Sequence, residues 1–137
     1  MKRILVFAGS TSQKSINKKL ASFTTTLLNQ ASITLLDLND FEMPLYSIDR
    51  EKQNGIPDPA HQFKAEIQKA DGIIMSLAEH NGSYAAAYKN VYDWVSRIKG
   101  NMWEDKPILL MAASPGGRGG KSVLQAANNR LPFQGGK

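Results

Sequence analysis

"RILVFAGSTSQKSIN", residues 3–17, runs from a continuous apolar stretch through a glycine into a loop crowded with serine and threonine. Six mostly apolar residues ending in a turn signal have the pattern of a strand buried on both faces. Beyond the loop, Ile16, Leu20, Phe23 and Leu27 recur at helical spacing, which predicts an amphipathic helix of about fifteen residues. The stretch is therefore a strand, a polar loop and a helix, with Gly9 expected to let the chain turn tightly off the strand.

The same unit repeats along the chain. "SITLLDL" (32–38) predicts a second strand, and residues 39–58, with Pro44, Gly55 and Pro57, an irregular connection. A helix is expected over 59–70 with Asp58 as its N-cap and proline in its first turn. "GIIMSL" (72–77) is a third strand, 83–98 a third helix, "KPILLMAAS" (106–114) a fourth strand and 120–130 a fourth helix. Strand and helix alternating four times is the signature of an α/β doubly wound parallel sheet in three αβα layers. At 137 residues and 42% hydrophobic, the chain suits one domain, residues 1–137. Ligands of open parallel sheets bind beyond the carboxyl ends of the strands, so the loops that matter follow strands one, three and four.

Composition removes several classes of function. There is no cysteine, which excludes thiolate nucleophiles, iron–sulfur clusters and cysteine zinc sites, and two histidines argue against a metal site. The apolar run behind Met1–Lys2–Arg3 is too short for a signal-peptide core, and nothing approaches the roughly 18 apolar residues of a membrane span. A cytoplasmic protein with no membrane partner is expected. The net charge of +5 comes without an arginine-rich run or an aromatic-interleaved basic stripe, so the expected partner is an anionic small molecule rather than nucleic acid.

The first loop suits an anion. A helix start presents unpaired N–H groups and partial positive charge, and Ser10, Ser12, Ser15 and Asn17 can donate side-chain hydrogen bonds to phosphate oxygens. The bland alternative is a Ser15 cap with solvated hydroxyls around it. The segment is not a nucleoside-triphosphate loop, because GxxxxGK[ST] is absent there; Gly120, Lys121 and Ser122 imitate its end, but Pro115 stands where its first glycine belongs. No GxGxxG follows strand one, which disfavours a dinucleotide fold. In the loop after the third strand, "AEHNGSYAAAYKNVYDW" (78–94), small residues open the helix and permit close approach of a flat ligand or a second subunit. His80 is either a ring lying against a ligand or a solvent-facing side chain, and Tyr84, Tyr88, Val91, Val95 and Ile98 share core or interface spacing.

"GSTSQKSINKKLA", "AEHNGSYAAAYKNVYDW" and "SPGGRGGKSVL" together resemble the NAD(P)H-dependent FMN reductases of the flavodoxin-like fold, the group of quinone, azo-dye and chromate reductases. The likeness covers essentially the whole chain, with three motifs in the family's order. It implies a flavodoxin-like sheet of order 2-1-3-4, with noncovalent FMN at the ends of strands one, three and four. By family pattern Ser10, Ser12, Ser15, Ile16 and Asn17 fall at the FMN phosphate. Glu79, His80, Asn81 and Gly82 fall at the flavin and its ribityl chain, and Ser114, Gly116, Gly117 and Gly120 beside the isoalloxazine ring. Arg118 is expected to stabilise negative charge on the reduced flavin. No residue need act as nucleophile or general acid, since the cofactor carries the chemistry.

The pattern is not followed everywhere. Ser12 stands where many members have arginine, which leaves NADH and NADPH undivided. Ala78 and His80 replace the proline and tyrosine of the commoner Pro-Glu-Tyr-Asn version. "RLPFQGGK" closes the sequence where a fifth strand is expected, so strand four is expected to carry a bare edge. The resemblance implies two-electron transfer from NAD(P)H through FMN to a quinone or other small acceptor. A one-electron carrier and a non-catalytic oligomerising domain remain the alternatives. Self-association into a homodimer or homotetramer is expected, with the aromatic helix, Met102 and Trp103 as its apolar surface.

Overall fold

The computed structural model describes residues 1–137. In chain order these form β1 (Lys2–Gly9), α1 (Ile16–Thr25), β2 (Ala31–Leu36), a 3-10 turn (Leu38–Phe41), α2 (Ile48–Asn54), α3 (Asp58–Lys69) and β3 (Gly72–Leu77). A hairpin of β4 (Glu79–His80) and β5 (Ser83–Tyr84) comes next, then α4 (Ala86–Val95), β6 (Ile108–Ala112), α5 (Lys121–Arg130) and a second 3-10 turn (Leu131–Gln134). The four long strands make one parallel sheet of order β2-β1-β3-β6, in which Phe7 lies between Leu36 and Met75. This is the expected doubly wound, flavodoxin-like order.

Alternation along β1 sorts the two layers. Leu5 and Phe7 face a large core with Phe63 of α3, Trp94 of α4 and Val123 of α5, while Val6 faces a small one with Ala21 of α1 and Ile74 of β3. Phe7 meets Phe63 edge-on at 5.3 Å between ring centroids. Tyr88, Val91, Val95, Met102 and Trp103 are all buried within the subunit, so they do not supply the exposed apolar surface expected for self-association. No helix is long and apolar enough to cross a membrane.

Helix α1 is shorter than its periodicity predicts and turns a different face inward. Asn17 and Ala21 are its buried residues, whereas Ile16, Phe23 and Leu27 are 44%, 60% and 65% exposed. The close sheet contact takes small and hydrogen-bonding residues. Thr24, Thr25 and Thr26 then end the helix, each hydroxyl donating to a carbonyl three or four residues back at 2.7–2.9 Å. Gly9 also differs from its expected role. It is the last residue of β1, and a Cβ there would stand 2.7 Å from Leu77 Cδ2, so it is glycine for close packing rather than for a turn.

The connection expected to be irregular contains the first 3-10 turn and α2, the latter capped by Ser47, whose hydroxyl accepts from the Arg50 amide, and closed by Gly55 at φ 75°. Pro57 rather than Asp58 is the N-cap of α3, and it makes no side-chain cap bond. Residues 83 and 84, expected to be helical, pair in the hairpin instead. The edge of β6 is bare only in part. Lys137 N donates to Lys106 O at 3.0 Å and Lys137 O accepts from Ile108 N at 2.6 Å, so this residue satisfies two backbone groups at the outer side of β6.

One side chain joins three elements beyond the strand ends. Asn17, 2% exposed, donates from Nδ2 to Ala113 O at 3.0 Å, and its Oδ1 accepts from Ala113 N at 2.8 Å and from the Ser76 hydroxyl at 2.7 Å. Replacing Asn17 with alanine strands these buried groups, and urea denaturation is expected to show a loss of about 2–4 kcal/mol. Asp37 joins α1 to the end of β2. Its carboxylate accepts from the Asn39 amide, and it pairs with Lys18 Nζ at 2.9 Å, which together hold its pKa at about 2 against 3.8. A folded value below the unfolded one stabilises the protein above about pH 4, and that contribution disappears as pH falls through 2. The melting-temperature gap between wild type and Asp37→Asn is therefore expected at pH 6 and should close between pH 4 and 2.

Candidate functional site

The loops after β1, β3 and β6 converge, as the parallel topology requires, on a cavity of about 260 Å³. It is lined by Ser10, Ser12, Lys14, Ser15, Ile16 and Asn17 from the first loop, by Ala78, Glu79 and His80 from the second, and by Ala113, Ser114 and Pro115 from the third.

On the first loop the donors are arranged around the start of α1. Ser10 Oγ accepts from Ser12 N at 3.1 Å, which leaves its own proton to donate. Ser15 is the N-cap, its Oγ accepting from Lys18 N at 3.2 Å. The amides of Ile16 and Asn17 have no partner in the protein, and they carry the positive end of the helix dipole. Asn17 corrects the sequence reading. Its side chain is committed to Ala113 and Ser76, so what it offers the cavity is its backbone amide. Lys14 lines the cavity and makes no ion pair, while Lys18 is held by Asp37. Together the hydroxyls, the two amides and Lys14 form an electropositive, donor-rich cradle matched to a phosphate monoester.

The second loop is a hairpin whose turn is Asn81 at φ 52° and Gly82 at φ 73°. Two consecutive residues of positive φ are what a two-residue hairpin turn demands, and the Asn-Gly pair was the sequence signal for it. Asn81 and Gly82 therefore form the exposed tip and do not line the 260 Å³ cavity. His80 is exposed and faces the cavity; Glu79 lines it too, but one of its oxygens is already engaged. Glu79 Oε1 accepts from Val123 N at 2.7 Å, in the first turn of α5. Gly120, the N-cap of that helix, has no side chain with which to cap it, so Glu79 does so from another loop.

The third loop divides its glycines by task. Gly120, at φ 85°, would place a Cβ 2.9 Å from Ala112 Cβ, so it is fixed by α5 starting close against β6 and not by a ligand. Gly117 would place one in open space, and Gly116 would meet only Ser114 Oγ at 3.8 Å. These two positions leave backbone exposed beside the cavity mouth. Ser114 Oγ accepts from Gly116 N at 3.4 Å, and Arg118 projects into solvent without an ion pair.

Two contributors were not legible as site residues. Ser76, fully buried inside "GIIMSL", was the one polar side chain in an apolar run, and its bond to Asn17 explains it. Lys14 had no spacing to mark it; only the fold of the loop turns it to the cavity. The donor set fits FMN, whose phosphate matches the cradle on α1 and whose ring needs the unobstructed backbone at Gly116 and Gly117.

Known proteins resemble this chain over most of its length. Over 132 residues the chain is 30% identical to a quinone reductase from Pseudomonas putida, covering 95% of this chain and 69% of that protein. It is 34% identical over 119 residues to a 2-hydroxy-1,4-benzoquinone reductase from a Burkholderia species, covering 85% of this chain and 63% of the relative. The chain thus spans about two thirds of the length of each. Among solved structures, a flavoenzyme NAD(P)H:(acceptor) oxidoreductase from Paracoccus denitrificans superposes with a TM-score of 0.82 at 29% identity, covering 99% of this chain and 74% of that one. The sequence model described as NADPH-dependent FMN reductase matches residues 2–136, so this chain belongs to the NADPH-dependent FMN reductase family.

Proposed function

We propose that this chain binds FMN in the cavity between the three loops and serves as an NAD(P)H-dependent reductase of a quinone or other small acceptor. The observation that carries the reading is the pair of unpartnered amides, Ile16 and Asn17, at the start of α1, ringed by Ser10, Ser12 and Lys14. FMN, when bound, supplies the redox chemistry, relaying two electrons from the nicotinamide cofactor to the acceptor.

The chain's own residues then have distinct tasks. Ser10, Ser12 and the amides of Ile16 and Asn17 hold the phosphate, and Lys14 offsets its charge. Ser15 keeps α1 capped so that those amides stay aimed at it. His80 stands beside the cavity as a wall, and the amide of Gly117, which has no partner in the protein, approaches the ring edge. Arg118 supplies positive charge near the ring, where reduction adds electrons. Glu79 positions the second and third loops relative to one another through Val123 N. Location in the cytoplasm and assembly into a homodimer or homotetramer belong to the same proposal. The exposed apolar side chains available for assembly include Phe23 and Leu27.

Flavin-free protein is expected to take up one FMN and retain it through gel filtration, and the flavin band should bleach with NADPH under nitrogen and return on adding a quinone. A protein that takes up no FMN would end this reading. In a fluorescence titration, Ser10→Ala and Ser12→Ala should each weaken FMN about 3–10-fold, the worth of one hydrogen bond. Removing the remote cap with Glu79→Ala should cost about 0.5–2 kcal/mol and raise hydrogen exchange at the Val123 amide. Glu79→Gln keeps an acceptor oxygen and should restore most of the protection.

A further inference from the structure

Strand β3 is buried at every position, and Ser76 is its one hydroxyl, enclosed at 0% exposure. A buried hydroxyl destabilises a strand unless a hydrogen bond offsets its lost hydration. The Ser76 hydroxyl makes such a bond, donating to Asn17 Oδ1 at 2.7 Å, and it does not line the 260 Å³ cavity. Whatever Ser76 does for a ligand there passes through Asn17.

The three bonds of the Asn17 carboxamide are not equivalent. Two go to Ala113, one residue past the end of β6 and at the start of the glycine-rich loop. These tie the first turn of α1 to that loop and would let the two move together. The third goes to Ser76, which sits inside the ladder, paired with Ala8 of β1 on one side and Met111 of β6 on the other. Ser76 is therefore the partner that refers the start of α1 to the sheet itself. Ala21 also seats α1 against Val6 and Ile74, but apolar contact is non-directional and allows a helix to slide or roll, whereas a hydrogen bond fixes direction.

That direction matters at the unpartnered amides of Ile16 and Asn17, which belong to the same turn as the carboxamide. An N–H bond weakens steeply once its angle falls below about 120°. Binding groups need to be held to within about 0.5 Å and 10–20° of their working geometry. The Ser15 cap, through Lys18 N, keeps the shape of the turn but does not place it relative to the sheet.

We infer that Ser76 is a positioning residue for the ligand's phosphate. It holds α1 so that the amides of Ile16 and Asn17 converge on a phosphate monoester, and in that way it sets the preference for a phosphorylated over an unphosphorylated flavin. That the ligand is a flavin rests on the reading above; the positioning of the two amides rests on the bonds themselves. Ser76→Ala removes only this tie, because Asn17 Oδ1 keeps the bond from Ala113 N and no buried group loses its last partner.

The test titrates FMN and riboflavin against wild type, Ser76→Ala and Ser76→Thr, followed by flavin fluorescence. Ser76→Ala is expected to weaken FMN about tenfold and riboflavin by less than about twofold. Ser76→Thr keeps the hydroxyl and should restore most of the FMN affinity. A merely structural Ser76 would lower the melting temperature and move the two flavins alike. An FMN-to-riboflavin affinity ratio that is unchanged in Ser76→Ala therefore overturns the inference, as does a wild type that binds the two flavins equally. A wild type that takes up neither flavin ends the flavin reading and moves the test to inorganic phosphate, followed by the Ile16 and Asn17 amide shifts in nitrogen–proton correlation spectra. A phosphate response in wild type that Ser76→Ala loses upholds the positioning, and a response equal in both or absent from both overturns it.

Discussion

The site depends on the buried amide of Asn17. A parallel sheet ends in loops that have no reason of their own to stay together, and here one side chain bonds α1 to the penultimate residue of β3 and to the residue after β6. Because Asn17 is also in the first turn of α1, the bonds that hold the strand ends set the direction in which the helix amides point. A buried polar network of this kind stabilises only when every member is satisfied, and Ser76 and the Ala113 backbone complete it.

Glu79 does comparable work on the other side of the cavity. Its bond to Val123 caps α5, a helix that begins at a glycine, and so couples the hairpin to the glycine loop. Between these two ties, the first, second and third loops form one framework rather than three independent segments. The flexible-looking composition of the third loop is misleading in this respect: Gly120 is fixed by contact with Ala112, and Gly116 and Gly117 alone leave open space.

Much of the architecture was legible because it is written in local pattern. Buried parallel strands are short apolar runs, and β1, β3 and β6 were found within a few residues of their bounds. Helix α1 was harder. Its apolar period marked Ile16, Phe23 and Leu27, yet the sheet receives Asn17 and Ala21, because a close approach favours small and hydrogen-bonding residues that hydrophobic periodicity ignores. The hairpin at Asn81–Gly82 went unread for a different reason: its strands are two residues long, too short for any alternation to register. Helix α2 buries none of its side chains and so left no apolar stripe to detect.

By itself the sequence determined the order of the four long strands and of helices α1, α3, α4 and α5, the placement of three polar loops at one end of the sheet, and the kind of ligand those loops attract. All of these come from neighbours along the chain. Tertiary structure alone decided which atoms of the loops remain available. Asn17 spends its side chain on residues 59 and 96 positions away and keeps its amide for the cavity, and Glu79 spends an oxygen on a helix 44 positions away. Whether a hydrogen-bonding group faces a ligand or a distant backbone is settled by which partner packing brings within about 3 Å, and that is not a property of local sequence.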